Sequence, residues 1–533
     1  MTPADRLDPV TLQVLLGGMR AVCEEMGAVL VRSAHSANIK ERRDASTALF
    51  DRDGAMVMQA EHIPVHLGAM PDAVAAVRGE AQRPGDVWIL NDPYRGGTHL
   101  PDITAVSPLF VGGRPAGFAA ARAHHADVGG DLPGSMPAGS TRLDQEGVVI
   151  PPTRIARGWE LDRPLLADLV SRMRAPRQRE ADLRAQVAAN RLAARRLEQL
   201  AQRHGEELLF GAMAEVLDYA ERRTRSAIAT IPDGSYSATD VLEDDGRDGV
   251  RDLEVTCTVS VAGDALEVDF AGTAPQTEGN LNCPLSVTKS AVYFVVRVLT
   301  DPDIPPCAGA YRPVTVTAPP GSLVNALPPA AVVGGNVETS SRIADVVMRA
   351  LGEAIDAPAQ GQGTMNNLTL GTAEFTYYET IGGGQGACPD APGPSAVHVA
   401  MSNTLNTPIE ALETEFPLRA IEYSVRRGSG GAGLWRGGDG VVRELEALAE
   451  MRFSLLSERR RHPPPGARGG APGARGRNLL KRAAGEPGEL PSKCEGSLRA
   501  GDRLRIETPG GGGHGPSAGE VDRPSPEADD QAR

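Results

Sequence analysis

The chain has 533 residues, 41 % of them apolar, and its 69 acidic side chains outnumber 55 basic ones for a net charge of −14. This length exceeds one ordinary core, so about two to four domains are expected. The negative charge argues against a nucleic-acid groove or an anionic membrane surface, and no apolar run approaches the ~20 residues of a membrane span.

Residues 9–31 repeat apolar side chains at helical spacing around a Gly-Gly pair and read as one or two helices. The preceding N-terminus is charged early and does not read as a signal peptide. "ALFDRDGAMVMQA" reads as a hairpin, because Asp53-Gly54 is a strong turn signal between apolar runs. "DVWILNDP" is a short strand that stops at Asn91-Asp92-Pro93, and "AGFAAARAHHADVGG" is another that enters a Gly-ended loop. The stretch between them, "NDPYRGGTHLPDITAV" (91–106), therefore sits at a strand end, a usual place for a site.

From about 160 to 229 the chain turns helix-forming, with Leu183, Val187, Leu192, Leu197 and Leu200 on one side. A helical hairpin that covers a sheet or docks a partner is expected. From 230 the period becomes two: Leu253, Val255, Cys257, Val259 and Val261 share a face, the chain turns at Gly263-Asp264, and Leu266, Val268 and Phe270 return. A helix is expected around "SVTKSAVYFVVRVLT", then a Pro-rich connection, then a Ser/Thr-capped helix in "ETSSRIADVVMRALGEAI". The rest, to about 510, is Gly-rich with short strands, and the acidic tail without aromatics should be disordered. The expected class is mixed α/β (α+β), multidomain, with a long helical hairpin insertion and β-rich segments. Its regions are 1–159, 160–229, 230–330, 331–515 and a disordered tail at 516–533.

Six cysteines are scattered without a CxxC, which fits reduced thiols in a cytoplasmic protein. Four lysines occur and none follows a glycine, so a Walker A phosphate loop is excluded. Histidine placement is the most informative feature. Five of the ten fall between 62 and 125: His62, His66, His99, His124 and His125, interleaved with Asp92, Asp102 and Asp127. Imidazole with carboxylate suits a borderline divalent ion such as Zn, Mn or Fe. A His-x-x-Asp on a pliable turn brings His99 and Asp102 to one point, since the glycines at 96 and 97 release the backbone. "HHAD" (124–127) offers the third ligand. A hydrogen-bonded loop network is the plainer alternative, and His62 and His66 read equally as core or capping histidines. "GGGQGA" (382–387) reads as either an anion nest or a tight turn, whereas "TPGGGGHG" (508–515) reads as a turn or flexible linker. Tyr377, Tyr378 and Glu379 are equally pocket residues or ordinary strand residues. "NIKERRDAST" (38–47) reads as a solvated turn, with a buried ion network or a substrate clamp at Arg42, Arg43 and Asp44 as alternatives.

Taken together, "SANIKERRDASTALFD", "EHIPVHLGAMPDAV", "NDPYRGGTHLPDITAVSPLF", "HHADVGGDLPGSMPAGS", "GNVETSSRIADVV", "GTMNNLTLG", "YYETIGGGQGA", "NTLNTPIEALE", "GSGGAGLWRGGDGVVRE" and "TPGGGGHG" resemble the hydantoinase B/oxoprolinase family over about 8–515. The resemblance implies one half of an ATP-dependent enzyme acting on a cyclic amide or a ketone. An A-type subunit with an ATPase fold would use the ATP and phosphorylate a substrate oxygen, in a hetero-oligomer without nucleic-acid or membrane partners. It implies a divalent metal on His99, Asp102 and His124, chosen within the pair over His125. Asp92, His125 and Asp127 would then be substrate or surrounding residues, with His125 or Asp127 moving the proton and Asp92, Gly383 and Gly384 touching substrate. Cyclic-amide hydrolysis is the expected reaction; ketone carboxylation, or a non-catalytic scaffold for the A-type subunit, is the alternative. Two departures, Cys307 where relatives are expected to carry Asn and a degenerate "RRHPPPGARGGAPGARG" loop, bear on the substrate but not on the metal motif.

Overall fold

The computed structural model describes residues 7–61, 63–247, 249 and 251–517. His62, and the tail from 518 onward, lie outside the described residues. The fold is mixed helix and sheet, with four sheets among the described residues.

The first sheet has seven antiparallel strands, ordered β2-β1-β5-β4-β3-β6-β7. They are β1 (Ala45–Asp51), β2 (Met56–Glu61), β3 (Val87–Leu90), β4 (Asp102–Val111), β5 (Arg114–His124), β6 (Thr153–Arg157) and β7 (Glu160–Leu161). The Asp53-Gly54 hairpin forms: Gly54 takes φ 82° and the Asp51 carboxylate accepts from the amides of Asp53 and Ala55. Residues 9–33 make one helix, Pro9–Ser33, capped by the Asp8 carboxylate. Its Gly-Gly pair does not break it, because Gly18 lets the Leu200 side chain approach closely. The 160–229 region supplies helices Arg163–Ser171, Pro176–His204 and Glu206–Ile228. The longest lies on the first sheet: its Gln186 amide donates to the Ile103 and Ala121 carbonyls, and Asn190 donates to Ala105. The helical pair thus covers a sheet, the first of the two expected uses.

The second sheet holds β8 (Gly234–Leu242), β9 (Leu253–Ala262), β10 (Ala265–Asp269) and β11 (Val314–Thr317), ordered β11-β10-β9-β8. Val255, Cys257, Val259 and Val261 are buried with helices Leu285–Leu299 and Ser340–Leu351 packed on them. The expected Ser/Thr cap of the latter helix is absent. A π-helical turn, Gly335–Thr339, runs straight into it, and the Thr339 hydroxyl donates to the Leu281 carbonyl instead.

The C-terminal part adds β12 (Asn367–Gly371), β13 (Thr376–Glu379), β14 (Leu418–Arg426), β15 (Gly440–Ala447), β16 (Met451–Leu456), β17 (Arg477–Lys481), β18 (Gly488–Leu490), β19 (Lys493–Leu498) and β20 (Arg503–Glu507). They form sheets β13-β12-β16-β19 and β14-β15-β20-β17-β18 around one shared core. "TPGGGGHG" is neither a loose linker nor a simple turn. Its glycines are buried in a mesh of extended segments, in which Gly511 donates to Gly438, Gly438 to Gln385 and Gly512 to Gln360. Only a backbone without side chains packs so closely. All six cysteines are free thiols, and no described helix is long and apolar enough to cross a membrane.

Candidate metal centre

The loop 91–101 is shaped before any ligand is placed. The Asn91 side chain donates to the carbonyls of Leu100 and Val148 and accepts from the Ile150 amide, tying both ends of the loop to a neighbouring segment. The Asp92 carbonyl accepts from the amides of Arg95 and Gly97, and Gly96 takes φ 99°. A Cβ at Gly97 would overlap the Asn91 carbonyl. The His99 carbonyl then accepts from the Asp102 amide at 3.1 Å, which folds the His-x-x-Asp back on itself.

Asp102 opens β4 and stands directly across from His124, the last residue of β5. Cross-strand partners share a face, so the two side chains meet. His99 Nε2 is 3.2 Å from Asp102 Oδ1, and His124 Nδ1 is 3.3 Å from the same oxygen. On the other carboxylate oxygen, Thr98 Oγ1 donates at 2.6 Å and His66 Nε2 lies 3.5 Å away. All of these side chains are buried. One ligand atom from each of His99, Asp102 and His124 falls within 4.8 Å of the others.

The charges are arranged for a cation. Burial works against ionising Asp102, yet the adjacent His99 imidazole, with His124 and His66, holds its carboxyl well below the usual range. Burial pushes the His99 pKa down, which keeps its ring neutral. Both ring nitrogens of His99, and Nε2 of His124 and of His66, have no hydrogen-bond partner. Orphaned buried nitrogens are costly, and a bound ion removes that cost. The donor set of two imidazoles and one carboxylate fits Zn, Mn or Fe.

The other expected site residues lie elsewhere. His125 points the opposite way along β5, with Nε2 3.0 Å from the Gln186 side chain on the covering helix. Burial drives its pKa down to about 4. Asp127 organises its own loop, accepting from the amides of Gly129, Gly134 and Arg174 and pairing with the Arg174 guanidinium at 3.1 Å. Neither reaches the cluster to move a proton there. Asp92 accepts from the Tyr94 amide and turns its own chain. The anion nest expected at Gly383 and Gly384 does not form, because these amides already donate to the carbonyls of Val397 and Pro509. A Cβ at Gly384 would overlap the Gly438 carbonyl oxygen. Gly384→Ala is accordingly expected to lower stability by about 1–3 kcal/mol or more, measured by chemical denaturation. A neutral result there would mean that the mesh is loose.

The third sheet supplies groups that the sequence alone does not single out. The Tyr378 ring stacks on His124, with centroids 4.6 Å apart and planes 11° from parallel. Its hydroxyl donates to Asn367 at 2.9 Å, and the Asn367 amide donates to the buried Glu338 carboxylate at 3.0 Å. Its neighbours on β13, Tyr377 and Glu379, face the other way and pair with each other and with Arg443.

The hydantoinase B/oxoprolinase family model matches residues 8–517. The chain belongs to this family. It is 37 % identical over 524 residues to the 5-oxoprolinase of Dictyostelium discoideum, a match that covers 96 % of the chain but 41 % of that relative. The chain thus spans about two-fifths of the length of the 5-oxoprolinases it matches. It is 31 % identical to the B-type half of a putative D-/L-hydantoinase from a Pseudomonas strain, covering 96 % of the chain and 91 % of the relative. Among solved structures, an ATP-dependent caprolactamase from Pseudomonas jessenii superposes with a TM-score of 0.89 at 29 % identity, covering 96 % and 91 % of the two chains. An acetone carboxylase shares the fold, with a TM-score of 0.85 at 17 % identity and coverage of 95 % and 76 %.

Proposed function

We propose that this family member is the B-type half of an ATP-dependent enzyme that opens a cyclic amide. In this reading it works with an A-type ATPase subunit in a cytoplasmic hetero-oligomer. The observation that carries the reading is the buried cluster of His99, Asp102 and His124, with unpartnered imidazole nitrogens, in a chain of this family. The names of the relatives and of the caprolactamase support an amide as substrate.

A ring amide resists water because its carbonyl carbon shares the nitrogen lone pair. Phosphorylating the carbonyl oxygen on the partner subunit ends that resistance and provides a leaving group. A divalent ion held by His99, Asp102 and His124 would supply Lewis acidity and bring the pKa of water towards neutrality. The remaining work belongs to the chain. Thr98 and His66 fix the Asp102 carboxylate, and Tyr378 fixes the plane of His124. Burial excludes bulk water that would hydrolyse the activated intermediate elsewhere. The proton released as water adds is taken by Nε2 of His66, a buried unpartnered nitrogen 3.5 Å from Asp102.

The test is ATP turnover by the chain with its A-type partner on 5-oxoproline, a hydantoin, caprolactam, and acetone with bicarbonate. The expected result is ATP hydrolysis coupled to a ring-opened amino acid from one of the amides. Formation of a carboxylated ketone alone would replace hydrolysis with carboxylation. No coupled product from any of them would leave the chain a scaffold.

A further inference from the structure

Five arginines are among the largest fully buried side chains: Arg42, Arg122, Arg179, Arg342 and Arg459. Arg342 and Arg459 pair with the carboxylates of Asp240 and Asp345, and Arg179 lies 3.4 Å from Asp182. Arg122 donates to Thr104 and to the carbonyls of Ala69 and Gly96. Arg42 differs. Its Nη2 alone is engaged, on the Thr380 carbonyl and the hydroxyls of Thr380 and Thr404. Its Nε and Nη1 have no partner, and no described carboxylate lies within ion-pair distance. Asn38, one helical turn earlier and 2 % exposed, also leaves its Nδ2 unpartnered. A fully buried guanidinium without a counter-charge is among the costliest things a fold can hold.

Its position is informative. Arg42 stands two residues before Asp44, whose carbonyl accepts from the His124 amide. Thr380, which anchors Arg42, stands two residues after Tyr378, whose ring lies on His124. The phenol of Tyr378 senses Asp44, Arg42 and Asp102 together, so these charges surround one volume. The cover over Arg42 is thin. Residues 402–408 cross it without regular secondary structure, with the Leu405 amide on the Arg42 carbonyl and its side chain facing solvent.

We propose that Arg42, with Asn38, is an anion subsite beside the His99 cluster, holding a carboxylate or phosphoryl oxyanion of the molecule being processed. The inference rests on the reading of that cluster as the reaction centre. It gives the densely charged "NIKERRDAST" segment a role, in which the guanidinium is kept uncompensated so that the ligand completes it. The same oxyanion chemistry comes from two sources, a carboxylate carried on the ring or the phosphoryl group added by the partner.

The test is calorimetric titration of the full, Mn-loaded chain with inorganic phosphate, with 5-oxo-L-proline and with 2-pyrrolidinone, which lacks the carboxylate. Metal content is measured on the same samples. Wild type is expected to bind at least one of the two anions, and Arg42→Met to weaken that binding by about tenfold or more. Metal content and 2-pyrrolidinone binding should not change. Loss confined to 5-oxo-L-proline assigns the subsite to a ring carboxylate, and loss confined to phosphate assigns it to the phosphoryl group. Should Arg42→Met not fold, Arg42→Lys carries the test, with affinity expected to fall because the ammonium lacks the planar donors. Unchanged anion affinity in the folded variant, or no anion binding by wild type, overturns the inference. A chain that lacks metal but still loses anion binding with Arg42 removes the metal reading and leaves the subsite standing.

Discussion

His99→Ala is expected to abolish ATP-coupled ring opening, with a loss well beyond 100-fold and no change in fold. Second-sphere partners of metal ligands typically contribute about 10–100-fold in metal affinity or activity, so a direct ligand should exceed that range. The position invites a clean substitution. His99 is buried, but neither ring nitrogen makes a hydrogen bond, so removing the ring leaves only Asp102 short of a neighbour. Thr98→Val is the graded control. It keeps the shape and removes the 2.6 Å hydrogen bond to Asp102 Oδ2, and it should cost about 10–100-fold in metal affinity. Full activity in His99→Ala would mean that the cluster is a structural knot.

Lys493→Met is expected to have the largest effect on stability, about 3–5 kcal/mol by chemical denaturation. Lys493 Nζ lies 2.5 Å from Glu458 Oε1 and 3.6 Å from Asp244, with both Lys493 and Glu458 fully buried. Glu458 also accepts from the Glu243 amide and lies 3.5 Å from Arg342, so the network joins β8, the helix Ser340–Leu351, β16 and β19. Removing the ammonium leaves a buried carboxylate facing other carboxylates. Burial already raises the Glu458 pKa, with Lys493 as the main opposing influence. The double variant Lys493→Met/Glu458→Leu should recover much of the loss, because it removes both charges. If the single variant is as stable as wild type, the network is not holding the second and third sheets together.

What the sequence made legible was local. The Asp53-Gly54 and Gly263-Asp264 turns, the period-two faces of β9 and β10, and the helical stretches each carry their signal within a few residues. The same holds for His99 and Asp102, whose spacing and neighbouring glycines are visible in one loop. What was hidden depends on contacts far apart in the chain. Adjacent residues on a strand face opposite ways, and only the pairing of Asp102 with His124 decides that His125 turns towards Gln186. Tyr378 reaches His124 from a different sheet, and nothing in "FTYYET" marks which tyrosine does so. Arg42 looked solvated because charged runs usually are; the loop that buries it comes from residues 402–408. The glycine runs carry no side-chain signal, so a packed mesh and a flexible linker look the same until the neighbouring segments are in place.

The most direct measurement is metal analysis of the purified chain by inductively coupled plasma mass spectrometry, alongside His99→Ala and His125→Gln. The expected result is about one Zn, Mn or Fe ion per wild-type chain, retained in His125→Gln and lost in His99→Ala. A wild-type chain without stoichiometric metal, whose ATP-coupled turnover survives chelation, would contradict a metal centre at His99, Asp102 and His124.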